Sequence, residues 1–267
     1  MTIVAMGREL GSRGKVVAEG VASALDAALI HYEIIDHLAD RNRVRKSHVA
    51  RFLENADLSK PLTAEDTLPT ILAATEILDI ASIPESVVLR GWGGVGLLRS
   101  VPHVVRVRIT APLEVRVRNL LEASGSTDDA RVREEIALFD EAHSAVMKRH
   151  FGVDYSDPDL YDLVLDTAEL DPSECAKCVV DFSLDKRFVE TRTSRLTLVS
   201  LTTATHVRAL LKLHPPTRDV SIDVVAAGDQ VTLSGEVANE DIRTRCELVA
   251  RRVPGIGSVS NQLRIAA

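Results

Sequence analysis

Residues 7–16 read Gly-Arg-Glu-Leu-Gly-Ser-Arg-Gly-Lys-Val. The chemistry such a stretch can do is anion binding. Glycines let phosphate oxygens come close to backbone N–H groups, and a helix opening at Lys15 adds the positive end of its dipole. The apolar run Ile3 to Met6 stands before the glycines, so the order is strand, glycine loop, helix. Against the pattern G-x-x-x-x-G-K-[ST], residues 9–16 supply the Gly14-Lys15 pair. Glu9 stands where the first glycine belongs, and Val16 where a Mg²⁺-binding hydroxyl belongs. Lys15 is the side chain to reach β- and γ-phosphates. Gly7, Arg8, Gly11, Ser12, Arg13, Gly14, Lys15 and Val16 form the candidate phosphate-binding stretch, in which Arg8 and Ser12 serve equally well as loop structure. A turn of this kind also packs an α/β unit with no ligand at all.

A second glycine turn, Arg90-Gly91-Trp92-Gly93-Gly94-Val95-Gly96, follows the apolar run Ser86–Leu89. Arg116 lies on a helix opened by Pro112, and Arg131 and Arg133 on a charged helical stretch, Asp128–Arg149, where a solvated helix face accounts for them as well. No paired carboxylates suggest acid–base work. Cys175 and Cys178 make a C-x-x-C, but no second ligand pair accompanies them, so half-buried helical thiols are expected and no metal site is assigned.

Gly7-Arg8-Glu9-x-Gly11-Ser12-x-Gly14 followed by a basic residue resembles the glycine loop of the cytidylate kinase-like family, a branch of the P-loop nucleoside monophosphate kinases. The similarity continues to about Phe182. The resemblance implies ATP-dependent phosphoryl transfer to a nucleoside monophosphate, cytidylate by family, with ATP and Mg²⁺ and with Lys15 and Arg116 as catalytic groups. It implies an acceptor site at His31, Arg90, Gly91, Trp92 and Gly93, and a lid carrying Arg131, Arg133, Asp140 and His143. Departures from the family pattern gather at these places. The acceptor turn G-R-D reads Gly91-Trp92-Gly93, the Asp of Tyr-Asp-basic-Glu-Ile is His31, and the Arg of the lid's Asp-x-x-Arg is His143. An indole stacks on a base but neutralises no phosphate, and a histidine is mostly neutral at pH 7. With Val16, all four changes remove groups that handle metal or phosphate. Losing one charge clamp can cost ~10³-fold in phosphoryl transfer, so weak or degenerate turnover is expected.

Strands and helices must hold these groups. Beyond the first helix, short strands are expected at Leu29–His31, Ser86–Leu89, Val104–Ile109 and Tyr161–Asp166. Helices are expected at Glu33–Arg41, in a region ending near Ser82 that Pro61 and Pro69 interrupt, after Pro112, over Asp128–Arg149 and after Asp171. That alternation means an α/β fold, a P-loop parallel sheet with helices on both faces, and ligands at the carboxyl ends of its strands.

The composition changes near Leu184. Residues 186–203 read as a linker with one extra strand at Leu196–Leu201. A compact α+β unit follows, with a helix at Thr205–Leu213, strands at Val220–Val225 and Gln230–Gly235, a helix at Asn239–Arg252 and a strand at Ser258–Ile265. Val231-Thr232-Leu233-Ser234-Gly235-Glu236-Val237 with Gly255-Ile256-x-x-Val259-x-Asn261-x-Leu263 resembles a BON domain, which implies a macromolecular or phospholipid partner. The expected domains are therefore 1–185, a linker 186–203, and 204–267.

The 267 residues are 45% hydrophobic, which suits globular domains, and the net charge of −7 argues against nucleic acid as partner. No stretch reaches the ~18 apolar residues of a membrane span. From three cysteines and an opening with no basic or long apolar run, a cytoplasmic location is the expectation. Three functions remain open: a nucleotide kinase, a non-catalytic nucleotide sensor that couples the loop to the BON domain's partner, and a scaffold with an empty loop.

Overall fold

The computed structural model describes residues 1–31 and 64–266. The helix expected at Glu33–Arg41 lies outside the described residues. In chain order the elements are β1 (Ile3–Arg8), α1 (Gly14–Ala24), β2 (Ala28–His31), α2 (Ala64–Ser82), β3 (Val87–Arg90), α3 (Trp92–Leu97) and β4 (Val104–Thr110). Then come α4 (Leu113–Ser124), α5 (Asp129–Val146), a π-helical turn (Met147–Phe151), β5 (Leu163–Asp166) and α6 (Pro172–Ser183). The C-terminal part contains α7 (Arg192–Leu213), β6 (Ile222–Ala227), β7 (Gln230–Val237), α8 (Glu240–Ala250) and β8 (Ser258–Ile265).

Two compact units result. The first holds a five-stranded sheet in the order β2-β3-β1-β4-β5, every pair parallel. Central β1 is buried on both faces, which explains why Ile3–Met6 is continuously apolar. Val4 and Met6 join Val88, Val107 and Ile109 in one core with Val17 and Val21 of α1 and Cys175 and Val179 of α6. Ala5 points the other way, toward Gly94 of α3. Helices thus cover both faces, as the strand–helix alternation predicts. The cysteines follow the same logic: Cys175 is buried in this core with its thiol pKa pushed up to about 11 by burial, and Cys178 is half-buried.

The second unit joins α2 to everything from Thr191 onward. Its sheet runs β6-β7-β8, with β6 antiparallel and β8 parallel to β7. Val224, Val231, Leu233 and Leu263 of the sheet pack on Val207 and Leu211 of α7 and Cys246 and Val249 of α8. The Asn261 amide ties β8 to α8 by donating to the Arg243 carbonyl at 3.1 Å and to Glu247 at 3.2 Å.

The strand expected at Leu196–Leu201 is instead the front half of α7. Thr191 and Ser194 form a reciprocal capping box, Ser194 N–H to Thr191 Oγ1 at 3.1 Å and Thr191 N–H to Ser194 Oγ at 2.9 Å. The β-branched residues that suggested a strand are accommodated because α7 has two faces to bury. One packs on the sheet, and the other lies along α2, whose Ala73, Ala74, Ile77, Leu78 and Ala81 form a buried stripe at helical spacing. His206 Nε2 lies 2.8 Å from Asp79, Arg195 donates to the Ser82 carbonyl at 2.7 Å, and the Thr202 and Ser82 hydroxyls are 3.3 Å apart. Pro69 does not interrupt α2, which runs through it. Among the described residues no helix is long and apolar enough to cross a membrane.

Candidate nucleotide site

β1 delivers the glycine loop to the carboxyl edge of the sheet, beside the ends of β3 and β4. Met6 is in register with Arg90, Gly7 with Arg108 and Arg8 with Ile109. The loop then turns sharply. Gly11 has φ +84°, and a Cβ there would sit 2.6 Å from the Arg116 carbonyl oxygen, so glycine is obligatory. Arg13 takes the left-handed conformation at φ 55° as N-cap of α1. Gly14 opens the helix with room for only a hydrogen, since a Cβ would approach that of Arg8 to 2.7 Å.

Four consecutive carbonyls of this loop are bonded on its inner side. The Glu9 carbonyl accepts from the Ser12 hydroxyl at 2.7 Å, and the Leu10 carbonyl from Arg116 Nε at 2.7 Å. Those of Gly11 and Ser12 accept from Asn119 Nδ2 at 2.8 Å and Thr167 Oγ1 at 2.9 Å. The N–H groups of Gly11, Arg13, Gly14 and Lys15 have no acceptor among the described residues. Free donors at a helix N-terminus are what a phosphate requires. The Lys15 side chain is exposed, its ammonium 3.7 Å from Glu19. Val16 is also exposed.

Behind the loop sits a charged cluster. Glu9 accepts from Arg108 Nη2 and from the Thr110 hydroxyl, each at 2.6 Å, and from Ala111 N–H at 3.3 Å. Burial alone would push its pKa up, but the bonds from Thr110 and Arg108 and the charge of Arg116 outweigh that and hold it below the ordinary value. Arg108 also donates to the Tyr155 and Ser156 carbonyls at 3.2 Å and lies over the Tyr155 ring at 5.0 Å. Arg116 is buried and pairs bidentately with Asp140 at 2.9 and 2.7 Å. His143 is fully buried one turn further along α5, stacked on Tyr155 with ring centroids 5.2 Å apart. Burial and the nearby Arg8, Arg116 and Arg108 push its pKa well below 6.5, so it is neutral.

The sequence-predicted residues fall in three places. The loop residues Gly7 to Val16 come together as a cradle, except that Arg13 turns to Glu122 at 3.2 Å. His31 and Arg90 are register partners at the ends of β2 and β3. Gly91 follows with φ 140° and its N–H on the Met6 carbonyl, and Trp92 and Gly93 open α3. Of the four lid residues, Asp140 and His143 are drawn to the cluster behind the loop. Arg133 is clamped by Glu114 and Asp129 at 2.6 Å, and Arg131 is exposed. Sequence reasoning missed Arg108, Asn119 and Thr167, and the carboxylate role of Glu9. The alternation of Arg106 and Arg108 on β4 was the available signal, but Arg106 is taken by Asp162.

The donor set fits a polyphosphate. It does not fit a metal ion held by the chain, because the side chain at the helix position for a Mg²⁺ ligand is the aliphatic Val16. Among the described residues no group of three or more His, Cys, Asp or Glu side chains is placed to hold a metal.

A model of the cytidylate kinase-like family matches residues 3–169, and a BON domain model matches residues 201–267. The sequence is similar to a cytidylate kinase of Sulfurisphaera tokodaii, 28% identical over 104 residues, which is 39% of this chain and 57% of that protein. It is likewise similar to one of Methanococcoides burtonii, 32% identical over 94 residues, 35% of this chain and 51% of that protein. The chain therefore spans about half the length of the curated relatives it matches. A solved structure of an uncharacterized protein from Eubacterium ventriosum shares the fold, with TM-score 0.53 and 18% identity over 68% of this chain and 97% of that one.

Proposed function

The chain belongs to the cytidylate kinase-like family, and on that premise we propose that its first unit binds the phosphates of ATP in the glycine loop and passes a phosphoryl group, weakly, to a nucleoside monophosphate such as cytidylate. The observation that carries the reading is the row of N–H groups at Gly11, Arg13, Gly14 and Lys15 that have no acceptor among the described residues, with the exposed side chain of Lys15 on the same first turn. In this reading the backbone donors hold the β- and γ-phosphates, and Lys15 neutralises charge that builds on the transferring group. ATP brings the reactive phosphoanhydride. Mg²⁺, the family's usual companion of ATP, finds no hydroxyl at Val16, and no step is assigned to it. The acceptor lies toward His31, Arg90, Gly91, Trp92 and Gly93, at the ends of β2 and β3.

Weak transfer follows from what surrounds the cradle. Arg133 is occupied by carboxylates, and His143, where the family carries a lid arginine, is buried and neutral. The same observations favour a second reading, a nucleotide sensor without turnover whose BON domain engages a macromolecular or phospholipid partner.

ATP-to-ADP turnover with a panel of nucleoside monophosphates, in wild type and Lys15→Ala, tests these readings. Turnover stimulated by one monophosphate and lost in the variant supports the kinase. No turnover, with ATP raising the thermal midpoint of wild type but not of the variant, supports the sensor. A midpoint insensitive to millimolar nucleotide overturns both and leaves a scaffold.

A further inference from the structure

A trans peptide is planar, so its C=O and N–H point in opposite directions, and fixing one aims the other. In the glycine loop the carbonyl of Leu10 is held on the inner side by Arg116, which sends the Gly11 N–H outward. The Ser12 carbonyl is held by Thr167, which sends the Arg13 N–H outward. The Gly11 and Arg13 donors, which have no acceptor among the described residues, are therefore aimed by bonds on the opposite side of the loop. Were a peptide of this Gly-rich turn to flip, it would present a carbonyl lone pair to an incoming polyanion.

Two charged side chains dominate that opposite side, and neither is available to a ligand. Arg116 is 6% exposed; Nε is on the Leu10 carbonyl, Nη1 and Nη2 are on Asp140, and Nη1 is 3.6 Å from Glu9. A phosphate reaching this guanidinium would have to displace Asp140 from a bidentate pair. Glu9 is 12% exposed, its carboxylate taken by Arg108, Thr110 and Ala111, while its own N–H bonds to the Ile109 carbonyl at 3.0 Å and its carbonyl receives the Ser12 N–H at 3.2 Å. Glu9 thus anchors the loop's entry to the end of β4, and Arg116 anchors its middle to α4 and α5.

We propose that Glu9 and Arg116 are positioning residues that hold the loop in its anion-receiving shape before any nucleotide arrives, and that Arg116 itself does not touch the phosphates. The inference rests on the reading that the loop binds nucleotide phosphates, and it reassigns Arg116 from catalysis to support of the cradle. A preformed donor set costs nothing to organise at binding, which is where such an arrangement gains affinity.

The test uses the full chain with Glu9→Gln, which keeps the shape and loses the charge, and Arg116→Lys, which keeps the charge and loses the fork. Amide hydrogen exchange without nucleotide is read at Ser12 and at Ala5 inside β1, together with affinities for ATP and for cytidine monophosphate. The expected result in each variant is Ser12 exchange at least tenfold faster with Ala5 unchanged. ATP should bind at least tenfold more weakly and the monophosphate within twofold of wild type, and the double variant should be no worse than the poorer single one. Unchanged Ser12 exchange, or equal acceleration at Ala5 and Ser12, overturns the proposal. So does ATP affinity that falls in Arg116→Lys but not in Glu9→Gln, since Arg116 would then be a direct phosphate ligand. If Glu9→Gln does not fold, Asn119→Ser, which releases the Gly11 carbonyl, takes its place with the same expectations. Failure of wild type to bind ATP counts against the nucleotide reading alone, and the Ser12 measurement still decides whether these residues shape the loop.

Discussion

Lys15 and Val16 stand side by side on the first turn of α1, both exposed, and the second of them carries the sharper expectation. Val16→Thr adds the hydroxyl that P-loop enzymes place after the lysine. At an exposed helix position it should change stability by less than about 0.5 kcal/mol. Turnover in Mg²⁺, measured as monophosphate-dependent ADP release, should rise tenfold or more. His143 gives the pH expectation. Its folded pKa is depressed, so below about pH 6.5 the unfolded chain binds a proton that the folded chain does not. Stability is therefore full above about pH 6.5 and falls as pH drops below it. His143→Phe, which keeps a ring between Phe139 and Tyr155, should flatten this limb in a thermal-midpoint series between pH 7 and 5. His143→Arg should not recreate a lid clamp. It puts a cation beside Arg8, Arg108 and Arg116 in a buried position, and urea unfolding should report a loss of about 3 kcal/mol or more. The cradle was legible at this scale because its residues are contiguous. Its supports were not, since Glu9 meets Arg108, Thr110 and Arg116 only after the chain has built three more strands and returned.

Among the elements, those with a strong local signature were legible. β1 and β3 announce themselves as apolar runs between turn residues, β4 by valines alternating with Arg106 and Arg108, and α6 by Asp171-Pro172-Ser173-Glu174, which forms a capping box with Asp171 accepting from Ser173 and Glu174 N–H. The front half of α7 was misread because residues 186–203 are rich in Thr and Ser, which are poor helix formers. Tertiary packing overrode that propensity, since a second helix, α2, covers the face that a lone helix would leave exposed. The capping box should matter accordingly: Thr191→Ala should cost about 1 kcal/mol, read by urea denaturation followed through helical circular dichroism. Ile77, 2% exposed in the α2 stripe, should cost about 2–5 kcal/mol as Ile77→Ala, and the loss should appear in the transition of the second unit.

At the scale of the molecule, two families share one chain, and both were recognisable because each matches over a continuous stretch. Their packing does not respect those stretches. α2 lies inside the match to the kinase-like family, yet it packs with α7 in the unit that contains the BON domain. No sequence pattern announces this, because an amphipathic helix names its buried face and not its partner. The arrangement has a consequence for biosynthesis. α2 leaves the ribosome roughly a hundred residues before α7, and at about 5–20 residues per second its buried stripe waits on the order of ten seconds for a surface to cover it. During that interval Ala73, Ile77 and Leu78 are open to chaperones and to other nascent chains, so a stop between Ser82 and Thr191 would release a chain whose α2 stripe has lost the helix that covers it.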